Sequence, residues 1–363
     1  MKRIFACILS LALLTVCLGA CGAGETLATQ PETKENTNKT EQESKAVTEE
    51  KKTEAKTEET APATAAATEE TGPKHMLDGK KVIFVGNSYT YYGNCVINKD
   101  VSLLKQSDRA HDRGYFYQIC KNNGANVDVT NWTFATHGLS DLFGTCATTK
   151  SCKGKDHTTY LTDARYDYVF LQERTGTEES PVSSEQFLAN VDKAAAFFRA
   201  ANPDVKICFL VQQRMYEQNI GWLSVVKELP ARGIDVIDWG GMVEGIIEGK
   251  IAVPGATQTY DRNSFVIKQS ADDGYHPNML TGYITAQMAY SAITGESAVG
   301  QDYAFATNAK LSSAFSPTTY ITKYYKYDGA TTNMKEIFAS AADMAGLQTL
   351  MDQHLAAGEY KNR

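Results

Sequence analysis

KVIFVGNSYTYYGN, Lys81 to Asn94, is the stretch on which the reading of this chain turns. Val82 to Val85 form a short unbroken apolar run, the pattern of a strand covered on both faces. The run stops on Gly86-Asn87-Ser88, residues that favour a turn, and a helix is expected to begin near Tyr89 to Tyr91. Ser88 therefore has two readings. It can cap the turn, as serines commonly do. It can also present a hydroxyl beyond the strand end, beside backbone N–H groups that a helix start leaves unsatisfied and that could stabilise an oxyanion.

Outward from this stretch, four more runs read as strands: Val127 to Thr130 or slightly beyond, Tyr168 to Leu171, Lys206 to Val211, and Ile234 to Ile237. Helical periods alternate with them. SSEQFLANVDKAAAFFRAAN, 183–202, offers a serine cap, apolar residues at helical spacing and an Asn-Pro stop. Further helices are expected over Gly114 to Asn122, Gly221 to Leu229, Met279 to Ile293 and within MKEIFASAADMAGLQTLMDQHL, 334–355. Alternation of this kind predicts an α/β fold, a three-layer α/β/α sandwich on a mostly parallel five-stranded sheet. Spacing leaves the strand order open. Ligands of such sheets gather at the carboxyl ends of the strands, so the residues after each run are the ones to read for chemistry.

The chain has 363 residues, and its ends differ in character from its middle. Residues 1–21 carry Lys2 and Arg3, an apolar run from Ile4 to Leu18 too short to span a bilayer, and then Leu18-Gly19-Ala20-Cys21. That tetrapeptide resembles a bacterial lipobox and marks Cys21 as the lipidated residue, with an ordinary secretory signal as the alternative. Residues 22–75 are almost entirely Thr, Glu, Lys, Ala, Gln, Asn and Pro, a composition that cannot bury enough apolar surface to order itself. They read as a tether of on the order of 50 residues with a reach of roughly 40 Å. The folded domain is expected over 76–363, with a C-terminal extension from about residue 300. No second membrane-spanning segment is legible in the sequence.

A net charge of -7 and the lack of a basic cluster in the folded region argue against nucleic acid as a partner. Of the eight cysteines, setting aside Cys7, Cys17 and Cys21 leaves Cys95, Cys120, Cys146, Cys152 and Cys208. The pair Cys146 and Cys152 flanks the short loop CATTKSC, where a disulfide closes easily. Cys95 with Cys120 is a weaker pairing, and Cys208 sits in an apolar run as a small hydrophobe. Neither a CxxC pair nor a His-x3-His spacing is present, so no metal site is expected.

A nucleophilic serine needs a base. Of the six histidines, His75 lies at the tether junction and His354 in a polar helical context, while His111, His137 and His157 remain open as bases. His276 stands in DDGYHPNMLTGY, 272–283, with Asp273 three residues before it and Pro277 opening a helix. A carboxylate so placed can hold the imidazole tautomer and leave Nε2 for the serine.

FVGNSYT and DGYHPNMLTGY together resemble the first and last blocks of the SGNH hydrolases, the GDSL-like esterases, over about residues 80–294. The resemblance implies a flavodoxin-like SGNH fold and a triad of Ser88, Asp273 and His276. It also implies an oxyanion hole from the Ser88 N–H and a glycine of the second block, for which ATHGLSDL supplies Gly138. Two departures stand out. Asn87 replaces the usual aspartate, as in a branch that reads Gly-Asn-Ser. The third block, Gly-x-Asn-Asp, is missing, and VFLQERTG stands in its place. Gln172 is the candidate for the lost asparagine donor, with a backbone-bonded glutamine as the equal alternative. Glu173 and Arg174 read as a rim ion pair, with contact to a polar substrate as the alternative. The tyrosines Tyr89, Tyr91, Tyr92 and Tyr216, with Trp239, read as packing or surface residues before a sugar platform.

These features lead to an expected membrane-anchored, extracytoplasmic serine esterase that removes acyl groups, acetyl among them, from carbohydrate or a related polymer. No metal or organic cofactor is required. Two alternatives remain at this stage: a surface binding protein that kept the fold without turnover, and a flavodoxin-like cofactor protein holding phosphate at the first turn.

Overall fold

The structure is a computed structural model. It describes residues 74–96, 114–146, 151–152, 155–156, 165–175, 182–266, 276–303 and 340–358, all within one compact unit, Thr68–Arg363. Cys21, the expected signal and almost all of the expected tether lie outside the described residues, as do His111 and His157.

Five strands form the main sheet: β1 (Lys81–Gly86), β2 (Asp128–Thr133), β3 (Tyr168–Leu171), β4 (Lys206–Leu210) and β5 (Asp235–Ile237). Every neighbour pairing is parallel and the order is β2-β1-β3-β4-β5. That is the flavodoxin-like doubly wound order, with its topological switch point between β1 and β3. Each strand is within a residue or three of its expected span.

Alternation along the strands divides the core in two. Val82, Phe84, Phe170 and Leu210 face one layer, and Ile83, Val85, Leu171 and Phe209 face the other. The first layer holds α1 (Gly114–Asn122), α3 (Trp239–Ile247), α4 (Met279–Thr294) and α5 (Ala341–Ala357). The second holds α2 (Ser184–Ala201) and a 3-10 helix, Gly221–Glu228. Ser183 caps α2 and closes a reciprocal pair with Gln186, so the sequence's serine cap works as a capping box. The Gly221 segment winds more tightly than an ordinary helix and is stopped by Pro230. Its Trp222 lies flat on Phe187, ring centroids 4.2 Å apart.

α4 is buried from Met279 to Ser291, which explains why its apolar residues run all the way round. It sits among α1, α3 and α5. The C-terminal α5 thus completes the layer. Its buried Asp343 accepts from the Thr257 N–H and the Tyr260 hydroxyl, and Gln348 donates to the Tyr283 hydroxyl at 3.2 Å.

Cys146 is disulfide-bonded; the side chain of its expected partner Cys152 lies outside the description. Cys95, Cys120 and Cys208 are free and buried, which corrects the weaker Cys95–Cys120 pairing. Burial pushes all three thiols well above their usual range, so they act as small hydrophobes.

The contact that fixes α4 against the end of β1 is between two glycines. Gly93 adopts φ 75°, and a side chain on it would overlap the Asn278 carbonyl. A Cβ on Gly282, in the first turn of α4, would overlap the carbonyl of Gly93. Gly282→Ala is therefore expected to destabilise the fold by about 1–3 kcal/mol or more, as overpacked cores do. Urea unfolding monitored by circular dichroism checks this, and an unchanged midpoint would show that the two backbones can part at no cost.

Candidate active site

The turn after β1 is built by Asn87. Its side-chain Oδ1 accepts from the Tyr89 N–H at 3.2 Å and caps the one-turn helix Ser88–Tyr91, while its Nδ2 donates to the His137 carbonyl at 3.0 Å. The residue that departs from the usual aspartate thus binds the β1 turn to the β2 turn, which needs a donor and an acceptor in one side chain. Ser88 follows at the first helical position, where its N–H has no intrahelical acceptor.

His276 reaches the same place from far along the chain. The bridge between Val266 and Pro277 holds the segment, and Asn278 caps α4 by accepting from the Thr281 N–H. Asn278 Nδ2 also donates to the Ser264 carbonyl at 2.8 Å. His276 Nε2 lies 2.9 Å from Ser88 Oγ across 188 residues of sequence. Tyr92 stacks on the imidazole at 4.0 Å and 15°, and Tyr89 lies tilted 5.1 Å away. Both side chains of the dyad are half-buried. Asp273 lies outside the described residues.

The tyrosine and tryptophan readings divide here. Tyr89 and Tyr92 lie against the histidine ring, a contact that no local spacing foretells. Trp239 is 2% exposed and belongs to the core, and Tyr216 donates to Asp238. The other described histidines are engaged elsewhere. His75 contacts Tyr290 and Glu296, the His137 ring meets the Ala135 carbonyl at 2.9 Å, and His354 is 3.7 Å from Asp238.

Gln172 requires a correction. The residue is 1% exposed and lies beneath the turn that follows β1. Oε1 accepts from the Asn87 N–H at 3.1 Å and the Thr90 hydroxyl at 3.0 Å, and Nε2 donates to the Glu173 carbonyl. The amide braces the turn and does not present a donor beside the serine hydroxyl. Gly86 belongs to the same contact, because a Cβ there would press on the Gln172 side chain.

Gly138 caps the short turn Leu139–Asp141, and its N–H donates to Asp141 Oδ2 at 2.8 Å. The expected second oxyanion donor is thus engaged by a carboxylate. Glu173 is likewise not a rim residue. It is fully buried, and its carboxylate accepts from the Leu139 and Arg174 N–H groups at 3.0 and 2.8 Å and from Asn190 Nδ2 at 3.2 Å. Burial pushes this carboxyl above its ordinary value, against the pull of the bonds from Arg174, Leu139 and Asn190. Arg174 instead faces Asp141 at 3.8 Å. Gly138 must be glycine here, since a Cβ would overlap Glu173 Oε1.

No family model and no curated protein matches the chain. Among solved structures, it is similar to Axe2, an acetylxylan esterase from Geobacillus stearothermophilus, at 15% identity and TM-score 0.41, covering 60% of this chain and 95% of that one. It is also similar to a protein named as a GDSL-like lipase from Parabacteroides merdae, at 14% identity and TM-score 0.39, covering 61% and 99%. At these values the likenesses carry no argument about the site, which rests on its own geometry.

Gln172→Leu leaves the buried Asn87 N–H and Thr90 hydroxyl without their acceptor, at about 1–3 kcal/mol for each stranded group. The expected loss is on the order of 2–6 kcal/mol in chemical denaturation. A variant as stable as the parent would remove Gln172 from beneath the turn.

Proposed function

We propose that this chain is a serine esterase of the SGNH type acting on acyl esters of carbohydrate or a related polymer. The observation that carries the reading is the 2.9 Å approach of Ser88 Oγ and His276 Nε2 at the carboxyl end of a parallel sheet. A hydroxyl so placed can lose its proton to the imidazole as it attacks a carbonyl carbon. The ester C–O bond breaks, His276 returns the proton to the leaving alkoxide, and the acyl group stays on Ser88. Water then attacks the acyl-enzyme, giving its proton to His276, and the acid leaves as Ser88 recovers its hydrogen. Tyr89 and Tyr92 hold the imidazole plane during both transfers. Asp273 is assigned to the Nδ1 side of His276.

The oxyanion falls to the Ser88 N–H, joined by the Gly138 N–H once the partly exposed Asp141 carboxylate gives way. Each such donor is worth on the order of 10²–10³ in turnover, so this arrangement supports a slower enzyme than one with three preset donors. The same observation favours a second reading, a binding protein that keeps the fold and does not turn over.

Ser88→Ala is expected to abolish hydrolysis of p-nitrophenyl acetate, with Asp273→Asn losing up to about 10⁴-fold through the wrong tautomer. A fluorophosphonate probe should label Ser88 in the parent protein. Silence of the folded protein toward both ester and probe favours the binder.

Cys21 is proposed as the lipidated residue that anchors the domain on the extracytoplasmic face of a bacterial membrane, with residues 22–75 as its tether. The lipobox-like Leu18-Gly19-Ala20-Cys21 supports this. In bacteria, Cys21→Ser should move the protein from the detergent phase to the aqueous phase on Triton X-114 partitioning; an unaltered distribution refutes the anchor.

A further inference from the structure

His276 is not carried by a strand of the main sheet, so its place opposite Ser88 depends on what the chain around it is docked to. The residues that follow it lie on the short helix Arg262–Phe265. Asn278 donates its N–H to the Phe265 carbonyl at 3.0 Å and its Nδ2 to the Ser264 carbonyl at 2.8 Å, Thr281 Oγ1 donates to the Phe265 carbonyl at 2.6 Å, and Val266 bridges to Pro277. Arg262 opens that helix, and its Nη2 meets Glu217 Oε1 at 2.7 Å. Glu217 ends a second short helix, Gln213–Glu217, just past the carboxyl end of β4, and its other oxygen, Oε2, meets Arg214 Nη1 at 2.9 Å. We propose that Glu217, held between Arg214 and Arg262, is a positioning residue that ties the docking platform of His276 to the sheet and so keeps the imidazole within reach of Ser88. The proposal rests on the esterase reading above.

Geometry and charge both suit the carboxylate to this task. Each oxygen takes a different guanidinium, one from the sheet side and one from the helix that supports His276, so a single side chain joins the two elements. Such bonds are charge-assisted and directional. Phe265 secures the same helix by burial in the core, a force without direction. The three side chains are partly buried, which limits screening by salt. Burial alone would raise the Glu217 carboxyl, but the bonds and charges of Arg214 and Arg262 outweigh it and hold the group below its ordinary value, ionised at neutral pH. Without the negative charge, two guanidiniums would face each other across the gap, and their repulsion would drive Arg262 and its helix outward. A glutamine in this place sharpens the conflict. Its one oxygen can accept from one arginine, and its NH2 then meets the donors of the other.

The test compares the parent with Glu217→Gln, Arg262→Gln and the double variant, each measured for p-nitrophenyl acetate hydrolysis, rate of fluorophosphonate labelling at Ser88 and melting temperature. Glu217→Gln should lower kcat on the order of ten- to a hundredfold with KM little changed, since moving a catalytic group by about 1 Å costs up to about 10²-fold. Labelling should slow in parallel, because it reads the reactivity of the serine without turnover. Arg262→Gln should lose less, as Glu217 keeps Arg214 and no repulsion arises. The double variant should recover to the level of Arg262→Gln alone. If Glu217→Gln does not fold, the fall in kcat and labelling of Arg262→Gln carries the test. A lower melting temperature with kcat and labelling rate unchanged overturns the proposal and leaves the three residues as a stabilising ion cluster. Losses that multiply in the double variant overturn it too, as independent sites behave that way. Ser88→Ala separates this failure from that of the underlying reading. Full activity without the serine, or a parent silent to both ester and probe, removes the esterase mechanism and the positioning role with it, whereas an inactive Ser88→Ala beside a fully active Glu217→Gln removes only the positioning role.

Discussion

Two polypeptide backbones meet where Gly93 and Gly282 cross, and the geometry of the site depends on that crossing. Neither position has room for a Cβ: one side chain would strike the Asn278 carbonyl and the other the Gly93 carbonyl. Because α4 can approach the end of the first turn this closely, the histidine that precedes α4 comes level with the serine that precedes Gly93. Gly93 also supplies the positive φ that turns the chain away after the one-turn helix. A larger residue at either place would push the helix outward, and a hydrogen bond of 2.9 Å has little tolerance for that movement.

Around this crossing, the floor of the site is made of buried polar side chains with assigned tasks. Asn87 joins the β1 turn to the β2 turn, Gln172 supports the β1 turn from the end of β3, and Glu173 fixes the β2 turn through the Leu139 N–H. Glu173 also reaches Asn190 on α2, so the second helical layer is connected to the same floor. Buried groups of this kind are stabilising only when paired, and their pairing restricts the turns to one arrangement. The arrangement has a chemical consequence. The amide that could have served an oxyanion is spent on the scaffold, and the Gly138 N–H faces Asp141.

The layer opposite α2 is finished by the last helix of the chain. α4 is apolar around its whole circumference, a pattern that is stable only if every face is covered, and α5 covers the remaining one. Trp239, Val243 and Phe265 sit in this layer as part of its core.

Local pattern alone determined a good deal of this protein. The five strands, the serine-capped α2 and the start of α4 at His276-Pro277-Asn278 follow from apolar runs, capping residues and proline, because each is decided by neighbours a few positions apart. Ser88 and His276 were legible for the same reason, as strand-end and helix-start residues with chemistry to offer. Strand order, the brace formed by Gln172, the burial of Glu173, the ring contacts of Tyr89 and Tyr92 and the free state of Cys95 and Cys120 were decided only in three dimensions. Each depends on which donor, ring or backbone arrives from a distant segment. A carboxamide at the end of β3 has the same identity whether it points at a ligand or under a turn, and its direction is set by the Asn87 N–H and Thr90 hydroxyl that packing brings to it.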